Sequence, residues 1–463
     1  MKHDFNDTIA AIATAVGESG IGIVRLSGKD ALAVADKIFV SKDDKKVPEF
    51  KAYTTHYGWI IDKRKPDEPV DEVLLTVMRS PKSFTREDVV EINCHGGIIA
   101  LRSVLDLVLE NGCRLAEPGE FTRRAFLNGR IDLAQAEAVL DIIRAKTDSA
   151  LRIGAEQLKG RLSKELNRIR EELLDILSLV EANIDFPEED ISATEAKNLS
   201  SRLASAENSL KRILESSAAG RVMREGISAV ICGKPNVGKS SLLNALLKQE
   251  RSIVTPVAGT TRDTIEEIID IKGIPVKIVD TAGIIEPRDL VEKKAVVRSK
   301  EFIRHADLVI MIFDAGRKIE KQDELLIRKI KGKTSLAVVN KIDLKCRLQK
   351  ERLAKNFGRV VEISAKKMKN ISLLEEAIAD LVYKGKVACP EPGLVSNLRH
   401  IEAMRKAQKL IAEAANPIDN NALPIELIAQ DIKDALGYLD DISGKRFSEE
   451  LLDKIFSDFC IGK

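Results

Sequence analysis

Short apolar runs separated by turn clusters characterise the first part of the chain. Three of them, Gly22–Leu26, Val73–Val77 and Val89–Ile92, have the length and the β-branched content of strands. Gly, Pro, Asp and Ser clusters lie between them, and this arrangement indicates strands joined by turns. We therefore predict an α+β domain over residues 1 to about 125.

The pattern changes twice further along. Over about 133–215 apolar residues recur at helical spacing, and the main break falls at 185–187. Over about 226–381 short apolar strands alternate with helical stretches, which is typical of a doubly wound α/β domain. After 390–393 the helical pattern returns, so one helical domain interrupted by an inserted α/β domain is the simplest organisation. The predicted segments are 1–127 (α+β), 128–224 (helical, first part), 225–385 (inserted α/β) and 386–463 (helical, second part).

Composition and charge set limits without indicating a function. A chain of 463 residues is too long for one core, and its 74 Lys and Arg nearly balance 72 Asp and Glu. The six cysteines are far apart without a C-x-x-C pair, which favours reduced thiols in the cytosol over disulfides or a zinc site. Residues 1–20 lack a signal-peptide pattern, and apolar runs such as Leu308–Phe313 are well short of the roughly 20 residues of a membrane helix. We predict a cytoplasmic protein with no membrane association.

The strongest motif is Gly233–Ser240, which matches G-x-x-x-x-G-K-[ST]. A strand-like run, Ile227–Ile231, precedes it and an apolar helix follows, as a P-loop requires. Its glycines let backbone N–H groups close around the β-phosphate at a helix N-terminus. Lys239 would neutralise the β- and γ-phosphates, and the Ser240 hydroxyl is a suitable Mg²⁺ ligand.

Three later motifs have the order and spacing of a GTPase. Val276–Gly283 ends in D-T-A-G, where Asp280 can hold a water on Mg²⁺ and the Gly283 N–H can meet the γ-phosphate. Ser335–Asp343 ends in N-K-x-D, and Ser364–Lys366 follows a third strand. Together with the P-loop they predict a Ras-like domain that binds and hydrolyses GTP.

Asp343 explains a preference for guanine. A carboxylate accepts two N–H bonds from guanine, whereas adenine leaves it unpaired, and such sites discriminate by up to roughly 10⁴–10⁵. Asn340 would contact the base, Lys341 would lie along it, and the loop 364–366 would offer a backbone N–H to guanine O6.

A polar loop at 255–263 lies between the first two motifs and would close over the γ-phosphate. Thr261, with Thr260 adjacent, is the predicted Mg²⁺ ligand of this loop. The residues predicted to bind the nucleotide are Asn236, Val237, Gly238, Lys239, Ser240, Ser241, Thr255, Pro256, Val257, Ala258, Gly259, Thr260, Thr261, Asp280, Thr281, Ala282, Gly283, Asn340, Lys341, Asp343, Ser364, Ala365 and Lys366.

The site lacks the glutamine that orients the attacking water in Ras-like enzymes, since Ile284 follows D-T-A-G. Glu286, Asp289 and Glu292 are candidate acids downstream, and the residues alone leave the choice open. The Asn236 side-chain oxygen could serve a second cation in place of an arginine finger.

The whole chain resembles the MnmE (TrmE) family of tRNA modification GTPases. The resemblance rests on motifs outside the P-loop domain as well as within it. These motifs are Asp7–Ala10, Gly22–Gly28, Ser83–Thr85, Glu87–Asp88, His95–Gly97, Pro118–Phe121, Arg124–Asn128, Asp132–Glu137 and the C-terminal Phe459–Lys463.

The resemblance implies a potassium-activated GTPase that forms a homodimer through its N-terminal domain and pairs its G domains across the dimer. It implies K⁺ ligands Asn236, Thr255, Val257 (by its backbone carbonyl) and Thr260, Mg²⁺ ligands Ser240 and Thr261, and Glu292 as the catalytic residue that acts on the attacking water.

The family also implies a modification reaction. With the FAD-dependent partner MnmG (GidA), in a heterotetramer, it would install an aminomethyl-type group (carboxymethylaminomethyl or aminomethyl) on C5 of the wobble uridine of certain tRNAs. The one-carbon donor would be a tetrahydrofolate derivative (5-formyl or 5,10-methylene) in the N-terminal domain. Its contacts would be Arg25, Glu91, Arg130 (a lysine elsewhere in the family) and Lys463. Cys460 is a possible reactive thiol.

A ribosome-assembly GTPase, which acts as a switch without covalent RNA chemistry, is the alternative. Such factors commonly add an RNA-binding module with a G-x-x-G loop after the G domain. The helical pattern after Pro392 and the terminal F-C-I-G-K favour tRNA modification instead.

Overall fold

The computed structural model describes residues 7–185, 193–249, 266–280, 303–383, 395–418 and 424–463. The chain clusters into two compact units, Met1–Leu140 with Leu439–Lys463, and Asp141–Tyr438. The C-terminal end of the chain therefore belongs to the same unit as the N-terminal residues. The boundaries of the four predicted segments stay predictions.

The strands are β1 Ile9–Ile12, β2 Gly22–Ser27, β3 Phe39–Ser41, β4 Thr54–Ile61, β5 Pro69–Met78, β6 Val89–Cys94, β7 Arg114–Leu115, β8 Ile227–Cys232, β9 Glu266–Ile271, β10 Ile274–Asp280, β11 Leu308–Asp314, β12 Ser335–Asn340 and β13 Arg359–Glu362. The helices are α1 Ala31–Ile38, α2 Ile98–Glu110, α3 Glu120–Leu127, α4 Leu133–Arg144, α5 Asp148–Leu158, α6 Arg161–Asp185, α7 Ala193–Glu215, α8 Ser217–Glu225, α9 Lys239–Gln249, α10 Lys321–Lys329, α11 Lys350–Ala354, α12 Ile371–Val382, α13 Leu398–Ile418, α14 Ile425–Ser443 and α15 Glu449–Ser457.

The first unit is built on a seven-stranded sheet in the order β3-β4-β5-β6-β2-β1-β7. Neighbouring strands are antiparallel except for the pair β1 and β7. Val24 and Leu26 on β2 are fully buried in a core shared with α1 and α2. Arg25 lies between them in sequence, and successive side chains of a strand point to opposite faces, so Arg25 is directed to the other face of the sheet.

A second, smaller core in this unit joins residues 125–140 to the C-terminal segment. It unites α3 and the start of α4 with α15, and its members from α15 and beyond are Leu452, Phe456 and Phe459. Phe459 is only 5% exposed. The predicted C-terminal motif therefore begins with a core residue.

Long helices form the first part of the second unit. On α6 the buried residues Leu162, Leu166, Ile169, Leu173 and Ile176 recur every three or four positions, which produces one apolar stripe. Helix α7 packs against both α6 and α13, and each presents a similar stripe. The helix predicted to break near 185–187 does end at Asp185.

The inserted α/β part contains a six-stranded sheet in the order β13-β12-β11-β8-β10-β9. All neighbouring pairs are parallel except β10 and β9. Every residue of β11 is buried, as expected for a central parallel strand covered on both faces. Because these strands are parallel, the carboxyl ends of β8, β10, β12 and β13 lie at one edge of the sheet, and the GTPase motifs begin at or soon after these ends in the sequence.

The strands predicted at Gly22–Leu26, Val73–Val77, Val89–Ile92 and Ile227–Ile231 are confirmed as β2, β5, β6 and β8. None of the helices that the structure describes is both long and apolar enough to cross a membrane.

Candidate functional site

The predicted P-loop joins β8 to α9 as a tight turn. Gly233 and Gly238 have φ angles of +148° and +102°. A Cβ atom on Gly233 would lie 2.6 Å from the Ile312 carbonyl oxygen, and one on Gly238 would lie 2.3 Å from Asn340 Nδ2. Both positions therefore need glycine for conformation and for space. The loop runs directly into the N-terminus of α9, which is the geometry that binds phosphate.

Lys239 is the first residue of α9, and its side chain folds back over this loop. Its Nζ donates hydrogen bonds to the carbonyl oxygens of Gly233 at 3.1 Å and Lys234 at 3.0 Å. The ammonium group is thus held within the loop, where a phosphate oxygen could replace either carbonyl. Ser240 and Asn236, the neighbouring polar side chains, are exposed.

Asn340 ties three of the predicted motifs together. Its side chain is nearly fully buried, and Nδ2 donates to the Val237 carbonyl oxygen at 3.0 Å. Oδ1 accepts from the backbone N–H groups of Lys341 at 2.8 Å and Ala365 at 3.0 Å. The amide thus joins the P-loop to the loops after β12 and β13, while its predicted contact with the base stays a prediction.

Asp343 is exposed, and its carboxylate is oriented by a buried hydroxyl. Ser364 Oγ donates to Asp343 Oδ1 at 2.6 Å, and Ser364 is 1% exposed. This hydrogen bond is the main cause that lowers the pKa of Asp343 below its usual value. The carboxylate is ionised at neutral pH. Its Oδ1 already accepts one hydrogen bond, and because Asp343 is exposed, the carboxylate can accept further hydrogen bonds from the solvent side. Lys366, the last predicted residue of the loop, is exposed.

Several predicted residues lie outside the described residues. Asp280 is the last residue of β10, where its backbone pairs with Ile231 of β8, and nothing is described of its side chain. The others comprise the loop over the γ-phosphate, the rest of D-T-A-G and the candidate acids: Thr255, Pro256, Val257, Ala258, Gly259, Thr260, Thr261, Thr281, Ala282, Gly283, Ile284, Glu286, Asp289 and Glu292.

Two charged contacts of the P-loop were not predicted. Lys341 Nζ bonds the Asn236 carbonyl oxygen and the Asp314 carboxylate. The buried Lys234 forms an ion pair with Asp323 of α10 at 2.8 Å. The sequence does indicate where Asp314 lies, because this residue ends an apolar strand at the edge that carries the motifs, as Asp280 does. The Lys234 contact joins residues far apart in sequence, and no local pattern indicates it.

The predicted residues of the first unit gather at strands β2 and β6. Arg25 and Glu91 are direct cross-strand partners, and Arg25 Nε donates to Glu91 Oε1 at 2.8 Å. Arg25 Nη1 also donates to the Gly462 carbonyl oxygen at 3.3 Å, which brings the C-terminal motif to this pair. The Arg25 guanidinium lies 5.6 Å from the centre of the Phe121 ring. A cation, an anion, an aromatic face and the chain terminus thus meet at one place.

Arg130 lies beside a neighbouring ring. Its guanidinium is 4.9 Å from the centre of the Phe84 ring. Phe84 packs against a third core of this unit, which is formed by Ile9, Ala11, Ala116 and Phe121. Lys463 follows Gly462 and is partly exposed. The structure therefore brings Arg25, Glu91 and the Gly462–Lys463 segment together, and Arg130 lies against Phe84, which packs on the core that contains Phe121.

The C-terminal motif is held tightly except for its thiol. Gly462 has φ of +93°, and a Cβ atom there would lie 2.3 Å from the Ile12 carbonyl oxygen. Ile461 forms an isolated β-bridge with Pro118. Cys460 is exposed, whereas burial raises the pKa of the Cys94 thiol to about 11. Cys460 is therefore more accessible to reagents than the buried thiols of this unit.

A charge network centred on the buried Arg124 lies in the same unit as this cluster. Arg124 is 1% exposed and bonds Asp7, Glu87 and Glu120, while Arg114 bonds Asp7 at 2.6 Å and Glu120 at 2.7 Å. Burial alone would raise the pKa of Glu120, but its bonds to Arg114, to the Glu117 N–H and to Arg124 outweigh it, and the pKa is lowered. The network ties the start of β1 to α3, which carries Phe121. Asp7, Glu87, Glu120 and Arg124 lie in the motifs of the family resemblance, but no contact between them was predicted.

Two protein-family models match the chain. The model described as MnmE helical domain matches residues 133–460, and the model described as GTP-binding protein TrmE N-terminus matches residues 8–130. The inserted six-stranded sheet lies within the range of the first match. The predicted fold class is confirmed: an α+β N-terminal domain, an all-α helical domain and an inserted α/β P-loop domain.

Curated proteins named tRNA modification GTPase MnmE are similar over almost the whole chain. The protein of Bacillus cytotoxicus is 46% identical over 460 residues, which cover 99% of each chain. That of Alkaliphilus oremlandii is 47% identical over 467 residues, again 99% of each. That of Clostridioides difficile is 46% identical over 460 residues and 99% of each. Among solved structures, Aquifex aeolicus Era bound to GDP·AlF4⁻ is 32% identical and covers 40% of this chain and 66% of that chain, with a TM-score of 0.29.

Proposed function

The chain belongs to the MnmE (TrmE) family of tRNA modification GTPases, and on that premise we propose that it hydrolyses GTP to drive modification of C5 of the wobble uridine in certain tRNAs. One observation carries the proposal furthest: Asn340 bonds the P-loop and the 364–366 loop at once, while Ser364 bonds Asp343. A phosphate-binding loop and a guanine-selective carboxylate therefore belong to one connected site.

Binding begins with the base and the phosphates. The Asp343 carboxylate accepts the two N–H groups that guanine offers on one edge, and Lys341 lies along the ring. The phosphates enter the turn 233–238, where backbone N–H groups and Lys239 neutralise them. Lys239 then exchanges its bonds to the Gly233 and Lys234 carbonyl oxygens for bonds to phosphate.

Oxygen ligands suit the proposed cations. Hydroxyl groups, the nucleotide and, through a water, Asp280 would hold Mg²⁺. Ser240 and Thr261 are its proposed ligands. Asn236, Thr255, Val257 and Thr260 are the proposed K⁺ ligands, and the exposed Asn236 amide supplies the type of oxygen that K⁺ accepts. K⁺ would offset the negative charge that develops on the phosphate oxygens.

Glu292 is the proposed catalytic residue, acting on the attacking water in place of the missing glutamine. A group that acts only in the transition state raises turnover without changing substrate binding. The proposed pairing of G domains across a homodimer would bring the loop over the γ-phosphate into place.

The cluster at Arg25 is the proposed tetrahydrofolate site. Arginine pairs well with a carboxylate, and a glutamate accepts N–H groups from a pterin edge. The Arg25–Glu91 pair and the rings of Phe121 and Phe84 fit a flat, charged ligand, with Arg130 and Lys463 as further contacts. Cys460 is exposed at the same motif and is proposed as a reactive thiol. An FAD-dependent MnmG-type protein, in a heterotetramer with the homodimer, and tRNA are the proposed partners.

Hydrolysis tests the GTPase part of the proposal. Steady-state turnover is measured in K⁺ and in Na⁺ at matched ionic strength for the wild type, Glu292→Ala, Asn236→Ala and the control Glu286→Ala. We expect K⁺ to support turnover better than Na⁺, Asn236→Ala to lose that difference, and Glu292→Ala to bind GTP but lose turnover by a factor on the order of 10² or more. Equal rates in both salts would eliminate the cation role, and an active Glu292→Ala would move the assignment to another acid.

A further inference from the structure

Asp314 lies at the carboxyl end of β11 with only 8% of its surface exposed. Its Oδ1 accepts from the Gly316 N–H at 2.8 Å, and its Oδ2 lies 2.7 Å from Lys341 Nζ. A second cation, Arg317, is farther away at 3.9 Å. Burial alone would raise the pKa of Asp314, but the bonds from Lys341 and Gly316 outweigh it, and the pKa is lowered. A charged carboxylate therefore faces the Lys341 ammonium.

Lys341 carries this contact to the P-loop. Its Nζ also donates to the Asn236 carbonyl oxygen at 2.6 Å. Lys341 and Asn236 both have left-handed backbones, with φ of +66° and +61°. Residues with side chains adopt that conformation only where surrounding contacts hold it. The ammonium group thus links two strained peptides on loops that lie 105 positions apart in sequence.

A second bond runs parallel to this link, since Asn340 Nδ2 bonds the next P-loop carbonyl oxygen, that of Val237. Asn340 is fixed by two backbone N–H groups, whereas Lys341 has a flexible stem and needs a counter-charge to stay in place. Asp314 provides that charge. The Lys341 side chain remains 31% exposed, so its stem can still lie along a bound base.

We propose that Asp314 is a positioning residue of the nucleotide site, which fixes Lys341 and, through it, the Asn236 peptide of the P-loop. The proposal rests on the proposed GTPase function and extends it to a residue that touches neither base nor phosphate. It makes the base end and the phosphate end of the site interdependent. Weakening the Asp314–Lys341 contact should therefore affect both the affinity for guanine nucleotides and the position of Asn236, whose side-chain oxygen is a proposed K⁺ ligand.

Asp314→Asn is the informative variant. Its amide oxygen can still accept from Gly316, but an N–H₂ group then faces the ammonium and repels it. Asp307→Asn is the matched control, because Asp307 lies just before the opposite end of β11 and bonds Ser228 there. Fluorescent GDP is titrated without K⁺, thermal unfolding is recorded, and KM and kcat for GTP are measured over a range of K⁺ concentrations.

For Asp314→Asn we expect GDP to bind about tenfold more weakly and KM for GTP to rise by a similar factor. At saturating GTP and K⁺ kcat should stay within about twofold of the wild type, the pattern of lost uniform binding. The K⁺ concentration for half-maximal turnover should rise, and Asp307→Asn should match the wild type.

Wild-type GDP affinity in Asp314→Asn would overturn the proposal, as would an equal loss in Asp307→Asn. A weaker GDP affinity with an unchanged K⁺ requirement would overturn the link to the P-loop. If the wild type itself shows no K⁺ preference, the proposed cation role fails, while the GDP titration still decides the role of Asp314.

Discussion

Ser364 donates its hydroxyl hydrogen to the Asp343 carboxylate across 2.6 Å, from a position that is 1% exposed. The two residues lie on different loops, after β13 and β12, and meet because their strands are parallel neighbours. A buried donor thus orients the exposed carboxylate that is proposed to select the base.

Ser364→Ala should weaken GTP and GDP binding by about tenfold, since a hydrogen bond to a charged group is lost and Asp343 becomes free to rotate. The readout is the affinity for fluorescent GTP and GDP analogues. Ser228→Ala, which removes a hydroxyl bonded to Asp307 at 2.9 Å, is the control and should leave affinity unchanged. Equal affinities in the two variants would mean that Asp343 needs no support from Ser364.

Asp343→Asn should exchange the base preference of the site. The substitution places a donor against the N–H groups of guanine, so GTP should bind more weakly by a factor on the order of 10². Xanthosine triphosphate, which offers an acceptor at that edge, should gain affinity. Competition of both nucleotides against fluorescent GDP measures the change. GTP binding at wild-type strength would show that the 340–343 loop does not face the base.

Some of this site is visible in the sequence because its parts are local. The P-loop glycines, the N-K-x-D run and the strands before them are continuous patterns, and β8 and β13 lie where the apolar runs predict them. Apolar spacing likewise predicted the end of α6 near Asp185. These features depend on neighbours in sequence, so periodicity and turn chemistry specify them.

The contacts that join distant segments were not predictable in the same way. Arg25 and Gly462 are 437 positions apart, and nothing in either segment indicates the other. The resemblance alone grouped Arg25 with Lys463, the residue after Gly462, without indicating how the two segments meet. The link from Lys234 to Asp323 is of the same kind, because packing of separate elements determines it. The sequence indicates only that Asp314 ends an apolar strand at the edge with the motifs, and its contact with Lys341 likewise depends on packing.

Arg25→Ala should weaken binding of 5-formyltetrahydrofolate by about tenfold or more, because a charge-assisted bond to a ligand carboxylate would be lost. Isothermal calorimetry gives the affinities. Arg102→Ala on α2, whose side chain is 77% exposed, is the control. Unchanged affinity in Arg25→Ala would remove this arginine from the proposed site.

Gly462→Ala should disturb the C-terminal motif without affecting the nucleotide site. A side chain at φ of +93° and 2.3 Å from the Ile12 carbonyl oxygen forces the segment to move, with strain of roughly 1–3 kcal/mol. We expect weaker folate binding, a more reactive Cys460 thiol and normal GTP affinity. The control is Gly97→Ala, since a Cβ atom there meets nothing within 4 Å. If Gly462→Ala matched this control in folate binding and in Cys460 reactivity, the position of the C-terminal motif would have no role in either property.

Mass spectrometry of wobble nucleosides tests the coupling of GTP hydrolysis to tRNA modification most directly. A strain that lacks this gene is supplied with the wild type, Glu292→Ala or Glu286→Ala, and its total tRNA is digested. The account predicts that the wild type and Glu286→Ala restore the C5-modified wobble uridine. Glu292→Ala should not restore it, although that variant still binds GTP. Full restoration by Glu292→Ala, or an unchanged nucleoside profile in the strain without the gene, would contradict it.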